Sequence, residues 1–187
     1  MTDIRILGIS GSLRAGSLNT ALLRAAQKHA PAGVTIELYD GLGELPHYNG
    51  DLDTDENLPE SVRDLRERIR AADGVLFATP EYNYSIPGGL KNLIDWASRP
   101  AATSSLLHKP VAIMGAAPTN FGTVRAQLAL RQVFVWTHSD VVVKPEVMAF
   151  KAHERFDEAG NLTDDDTITL VTSLVDALAD KVRTAAK

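Results

Sequence analysis

Residues 6–20 read ILGISGSLRAGSLNT. The apolar run Ile6-Leu7-Gly8-Ile9 stops at a loop of Ser, Gly and Arg, and that loop runs straight into a helical pattern beginning near Ser17. A buried strand feeding a small-residue loop and then a helix start is a built-in anion site. The helix N-terminus leaves backbone N–H groups unpaired and carries a partial positive charge. Ser10, Ser12, Ser17 and Thr20 add hydroxyls, Asn19 an amide and Arg14 a fixed charge. A phosphate monoester suits such a loop. The GxxxxGK[ST] pattern is missing, so no lysine is present to hold a triphosphate, and the glycines at 8, 11 and 16 do not form GxGxxG. A tight turn followed by a serine N-cap would use the same residues. The loop alone leaves both readings open.

Strand and helix patterns alternate outward from this unit. Arg5–Ser10 reads as the first strand and Leu18–Ala30 as the first helix, with Leu18, Ala21, Leu22, Ala25 and Ala26 at helical spacing. Val34–Tyr39 alternates as a second strand, and Gly41–Asn57 is a loop rich in Gly, Pro, Asn and Asp. Pro59–Ala72 is a charged amphipathic helix with Val62, Leu65 and Ile69 inward. Gly74–Thr79 is a buried strand, Gly88–Ser98 a helix, Pro110–Ala116 a strand and Thr123–Thr137 a helix. Val141–Val143 makes a short fifth strand, Lys144–Asn161 an appendage with a turn at 157–161, and Thr163–Ala185 the last helix, opened by acidic residues that suit its N-terminus.

Five apolar strands separated by helices imply an α/β fold, a parallel sheet covered on both faces. Right-handed crossovers leave few topologies. The flavodoxin-like order 2-1-3-4-5, a three-layer sandwich, fits and places a ligand crevice beyond the carboxyl ends of the first and third strands. The loops there are 10–17 and 80–88, with 115–123 next along the edge.

At 187 residues the chain reads as one domain, 1–187, able to bury roughly two-thirds of its unfolded surface. Its net charge of −5 and scattered basic residues argue against nucleic acid. The lack of cysteine removes disulfides, thiolate metal sites and cysteine nucleophiles, and with them a low-molecular-weight tyrosine phosphatase. The five histidines show no ligand spacing, so no metal is expected. Neither a signal-peptide pattern nor an apolar run of about 18 residues occurs, which predicts a cytoplasmic protein without a membrane anchor.

Residues 79–96, TPEYNYSIPGGLKNLIDW, carry two prolines and two glycines that hold a defined path. Between them stand Glu81, Tyr82, Asn83 and Tyr84 at the mouth of the crevice. A polar-aromatic loop suits a flat heteroaromatic ring: backbone N–H groups can meet ring heteroatoms and aromatics can cover a face. Local packing of the tyrosines is the alternative. Trp96 and Leu93 read as core or subunit-contact residues. The third loop, Gly115–Gly122, could donate backbone groups to the far edge of a ring, although any strand-to-helix connection uses similar residues.

Three segments together, GSLRAGSLN (11–19), PEYNYSIPGGLKNLIDW (80–96) and GAAPTNFGTVRAQ (115–127), resemble the NADPH-dependent FMN reductases of the flavodoxin-like fold. That family includes quinone, azo-dye and chromate reductases. The resemblance covers essentially the whole chain, and the middle motif is its most specific part. It implies an FMN phosphate on Ser10, Ser12, Arg14, Ser17, Asn19 and Thr20. It implies the isoalloxazine against Pro80, Glu81, Tyr82, Asn83 and Tyr84, with Ser85 close by. Residues 116–122, including Ala117 and Gly122, would flank the pyrimidine edge. The family also implies a homodimer or homotetramer with FMN near the subunit boundary. Arg125 and Glu146 are candidates for charged residues across that contact, a solvated-surface role being equally open. Many relatives carry serine at the position of Ala117 and glycine at that of Thr123. One hydroxyl is therefore lost, and the threonine side chain is expected to narrow the site.

The activity so implied is hydride transfer from NADPH (or NADH) through FMN to a quinone, azo compound, free flavin or metal oxyanion, in ping-pong fashion on one shared face. No side chain is expected to act as acid or base, because the flavin carries the chemistry. Three alternatives stay open on the residues: a flavodoxin-type electron carrier, a flavin-binding sensor, and an enzyme acting on another phosphorylated small molecule. Direct oxidation of NADPH separates the reductase from the first two, and indifference to FMN marks the third.

Overall fold

The computed structural model describes residues 3–185. Its strands are β1 (Ile4–Ser10), β2 (Val34–Tyr39), β3 (Gly74–Ala78), β4 (Pro110–Ala116), β5 (Asp140–Val141) and β6 (Val147–Ala149). Its α-helices are α1 (Leu18–Lys28), α2 (Glu60–Ala71), α3 (Gly88–Ala97), α4 (Val124–Thr137) and α5 (Asp165–Ala185). All pairings between these strands are parallel, in the order β2-β1-β3-β4-β5. The expected 2-1-3-4-5 sheet is present.

Side-chain alternation along the strands builds two cores. Ile4 and Ile6 of β1, Leu76 and Ala78 of β3, and Ala112 and Met114 of β4 face α1 and α5. Leu7, Ile9, Val75, Phe77, Val111 and Ile113 face α2, α3 and α4. Both faces being covered, the central strands are apolar throughout instead of half polar. On the first face, a Cβ at Gly8 would lie 2.9 Å from Leu38 and 3.2 Å from Leu23, so glycine there admits the close approach of α1 to the sheet. Val62, Leu65 and Ile69 are fully buried on the inner side of α2, and Trp96 is core. Arg66 is unexpectedly buried beside them; its Nε donates to Trp96 O at 2.9 Å and it pairs with Asp53 at 2.8 Å, which fastens the 41–57 loop. Among the described residues no helix is long and apolar enough to cross a membrane.

One element departs from expectation. The fifth sheet position is split: β5 pairs with the start of β4, and β6 with its end, Met114 opposite Val147 and Ala116 opposite Ala149. The strand expected at Val141–Val143 is only Asp140–Val141, and part of the presumed appendage belongs to the sheet. The reason lies in β4. Seven buried residues outrun the pairing offered by β5, and Val147 and Ala149 supply the missing apolar edge.

Candidate functional site

Parallel strands end together, so β1, β3 and β4 deliver three loops to one edge of the sheet. The first, residues 11–17, is tied down by its own hydroxyls. Thr20 Oγ1 donates to Ser10 Oγ at 2.8 Å, and the Ser12 N–H donates to the same oxygen at 3.3 Å. Ser17 is the N-cap of α1, its Oγ accepting from the Thr20 N–H at 3.1 Å. These bonds use Ser10 and Ser17 oxygens as acceptors and organise the loop around the helix start. Among the described residues, the N–H groups of Leu13, Ala15, Gly16, Ser17, Leu18 and Asn19 have no hydrogen-bond partner. Space beside Gly16 is open, and Arg14 stands exposed on the rim. A bank of free donors at a helix N-terminus beside an arginine fits a phosphate dianion.

Asn19, assigned to the phosphate by resemblance, has another role in the structure. It is 3% exposed; its Oδ1 accepts from Ala116 N at 2.9 Å and its Nδ2 donates to Ala116 O at 3.0 Å. β3 pairs with β4 only as far as Met114. Beyond that point Asn19 stands in for a strand and locks α1 to the end of β4. The Asn19 side chain is thus spent on β4, and only its N–H remains among the free donors at the helix start.

The second loop turns sharply at its tip. Tyr82 and Ser85 exchange two backbone bonds, each 3.0 Å, around Asn83 at φ 50° and Tyr84 at φ 67°. Two successive left-handed residues between a bonded pair are the type I′ arrangement, which usually takes Asn-Gly. Tyrosine in place of that glycine stores strain of order 1 kcal/mol. The turn presents Tyr82 and Tyr84 outward, the latter 73% exposed. The N–H groups of Asn83 and Tyr84 are without partners among the described residues. Pro80 is buried at the base of the loop, and Ser85 is exposed at its tip.

Glu81 faces away from a ring-binding role. Its Oε1 accepts from Arg125 Nη1 at 2.9 Å, and its Oε2 accepts from the Arg125 and Ala126 N–H groups at 2.9 and 3.3 Å. Thr123, at the N-cap position of α4, makes no side-chain cap bond, so Glu81 caps that helix from the neighbouring loop. Burial pushes the Glu81 carboxyl up, but the bonds from Arg125 and the two amides outweigh it and hold the group below its ordinary value.

The third loop follows β4. Both polar backbone groups of Ala117 are engaged: its N–H donates to Ala149 O, and its C=O accepts from the Ala152 N–H, each at 3.0 Å. Ala117 therefore offers no free amide to a ring edge, contrary to its assignment by resemblance. The N–H groups of Asn120, Phe121 and Gly122 do remain without partners among the described residues. Gly122, at φ 52°, packs so tightly on Met148 that an added Cβ would lie 2.8 Å from its backbone. Nor does Thr123 narrow the site. It is buried over β4, where a Cβ at Gly115 would fall 1.9 Å from its Oγ1 and 2.6 Å from Thr79 O. The threonine fills the space that glycine at 115 leaves, and its Oγ1 accepts from Gln127 Nε2 at 3.2 Å.

Arg125 and Glu146 do not meet within the chain. Arg125 pairs with Glu81, and Glu146 with Lys144 at 2.8 Å. Sequence reasoning missed where Arg125 stands: against the exposed rings of both Tyr84 and Phe121, 4.0 and 4.3 Å from their centroids. Each such contact contributes about 0.5–1 kcal/mol at an exposed site. Glu81 and Arg125 lie 44 positions apart, and no local pattern signals their meeting.

The arrangement is thus two kinds of surface on one sheet edge. One is a donor-rich helix start with an arginine, suited to a phosphate. The other is a pair of loops with free amides and exposed aromatic rings, suited to a planar heterocycle.

The sequence profile of the NADPH-dependent FMN reductase family matches residues 4–154. An NAD(P)H-dependent FMN reductase of Pseudomonas aeruginosa is 50% identical over 94% of this chain and 94% of its own. A quinone reductase of Escherichia coli K12 is 37% identical, with 96% of each chain covered. Among solved structures, FerB, a flavoenzyme NAD(P)H:(acceptor) oxidoreductase from Paracoccus denitrificans, superposes with a TM-score of 0.87 at 38% identity, covering 97% of this chain and 98% of that one.

Proposed function

Because the chain belongs to the NADPH-dependent FMN reductase family, we propose that it binds FMN along this sheet edge and reduces quinones with electrons from NAD(P)H. Its class is that of an FMN-dependent, NAD(P)H-oxidising enzyme; the acceptor and the site residues are the proposal. The observation that carries it is the bank of unpartnered N–H groups at the start of α1, set beside the open aromatic cleft on the same edge. Ser10, Ser12, Arg14, Ser17 and Thr20 would hold the phosphate. Pro80, Tyr82, Asn83, Tyr84 and Ser85, with the free amides at 120–122 including Gly122, would position the ring.

Bound there, FMN would supply the redox chemistry, accepting a hydride from NAD(P)H and passing two electrons to the acceptor. The chain's residues would bind and orient it. Tyr82 and Tyr84 offer stacking surface to a flat partner. Donor and acceptor would use the same ring face in turn, which gives a ping-pong pattern. No side chain at the edge is assigned proton transfer. Quinones lead because the Escherichia coli relative bears that name; azo compounds, free flavin and metal oxyanions are further acceptors for the same face.

We also propose that the chain acts as one domain in the cytoplasm, as a homodimer or homotetramer. What supports assembly is an exposed apolar stripe on α4, Leu128, Val135 and Trp136, the last two 75% exposed.

The test is an absorption spectrum. Protein mixed with FMN and desalted should keep the flavin band, lose it on anaerobic NADPH and regain it on addition of p-benzoquinone. A retained band that NADPH fails to bleach would point to a carrier or sensor. Protein that neither retains FMN nor consumes NADPH with excess FMN present would overturn the proposal.

A further inference from the structure

Arg125, in the first turn of α4, touches both the second and the third loop. Its guanidinium lies 4.0 Å from the Tyr84 ring in the second loop and 4.3 Å from the Phe121 ring in the third. Glu81 fixes it from behind, through Nη1 and through the Arg125 N–H, both at 2.9 Å. Tyr84 and Phe121 are both largely exposed, so little else holds their rings. A planar cation held against one ring from each loop works as a fastener, because moving either loop outward strips it of one partner. Tyr84 sits in a left-handed conformation that its side chain disfavours, so the turn has reason to relax once the stack is gone.

We propose that Arg125 is a specificity-determining positioning residue: by tying Tyr84 to Phe121 it sets the width of the cleft between the second and third loops and selects flat ring acceptors over those with bulk outside the ring plane. The proposal rests on the acceptor site assigned above. Lysine is no substitute, since an ammonium has no flat faces for two rings.

Two measurements test it on the full chain. The first is amide exchange without cofactor. The Tyr82 and Ser85 N–H groups are protected by the turn, and the Val124 N–H by a bond to Phe121 O. Arg125→Met and Arg125→Lys should speed exchange at all three at least tenfold. A change confined to one loop, or none, overturns the fastener. The second is acceptor selection by the FMN-loaded enzyme. The ratio of kcat/KM for p-benzoquinone over 2,6-di-tert-butyl-benzoquinone should fall at least fivefold in both variants. Equal losses for the two quinones would mean general damage and overturn the proposal, as would full recovery of the ratio by lysine. Phe121→Leu keeps the Glu81 pair while weakening the stack, and must shift the ratio in the same direction should Arg125→Met fail to fold; an unshifted ratio refutes the idea. If the wild-type protein reduces neither quinone, the acceptor reading fails, and the exchange experiment still judges the fastener.

Discussion

Replacing Asn19 by alanine should destabilise the protein while leaving the phosphate site of the folded fraction nearly intact. Asn19 and Ala116 are each 3% exposed, and the asparagine amide is hydrogen-bonded to both the N–H and the C=O of Ala116. Truncation orphans two buried backbone groups. Each costs about 1–3 kcal/mol when left unmade, so the loss should be about 2–6 kcal/mol. With a urea slope of about 2 kcal/mol/M, the unfolding midpoint should fall by about 1–3 M. Asn19→Asp sharpens the test. Its carboxylate can still accept from the Ala116 N–H but turns an oxygen toward the Ala116 carbonyl. At neutral pH it should be no better than alanine, and acidification should restore part of the loss as the protonated acid regains a donor. Urea unfolding of the cofactor-free variants, paired with FMN titration under folding conditions, measures both quantities. A midpoint shift below about 0.3 M with a tenfold loss of FMN affinity would refute this reasoning and return Asn19 to the phosphate.

Arg14→Ala should weaken FMN about tenfold or more, as expected for a hydrogen bond to a charged group of about 1.5–3 kcal/mol, and riboflavin far less; equal losses in a fluorescence titration would remove Arg14 from the phosphate site. Tyr39→Phe should be neutral or stabilise by up to about 1 kcal/mol, because the buried Tyr39 hydroxyl has no partner and burial, followed by Asp64, pushes its pKa up to about 12; a clear drop in the urea midpoint would show that the hydroxyl is satisfied in solution. Glu81 is held below its ordinary value of 4.5, so the native state binds fewer protons there than the unfolded chain. Its contribution is complete above that value and lost as pH falls through the native pKa, and the stability gap between wild type and Glu81→Gln should close on acidification. A gap that stays constant from pH 6 to pH 3 would count against the Glu81–Arg125 assignment.

The frame was legible in the sequence because each central strand is a continuous apolar run and each helix repeats at its own period. The expected boundaries of β1 to β4 and of the five helices lie within two residues of those observed. The split fifth position escaped because Val147–Ala149 is too short to show a period, and the valines just before it offered a better-looking strand. Asn83 flagged a turn, but Tyr84 at the position that normally asks for glycine concealed its type. Asn19 looks the same in sequence whether its amide meets a phosphate or the end of a strand. Thr123 in place of a glycine suggested obstruction, because nothing local reveals that Gly115 lies beneath it.

These misreadings share a physical cause that bears on the site itself. Most of the groups proposed to touch the cofactor are backbone N–H groups, and a strand–loop–helix path leaves them free without needing a particular side chain at each position. The side chains buried around the edge do a different job: Asn19 joins the first loop to β4, Glu81 joins the second loop to α4, and Thr123 wedges the third against Gly115. They act across long sequence separations, so local pattern cannot find them, yet they decide where the free donors point. Substitutions at these braces should therefore register first in stability and loop exchange. Substitutions at the exposed rim, Arg14, Tyr82, Tyr84 and Phe121, should register first in ligand affinity and acceptor choice. A brace variant that altered acceptor choice while keeping full stability would show that this division of labour is wrong.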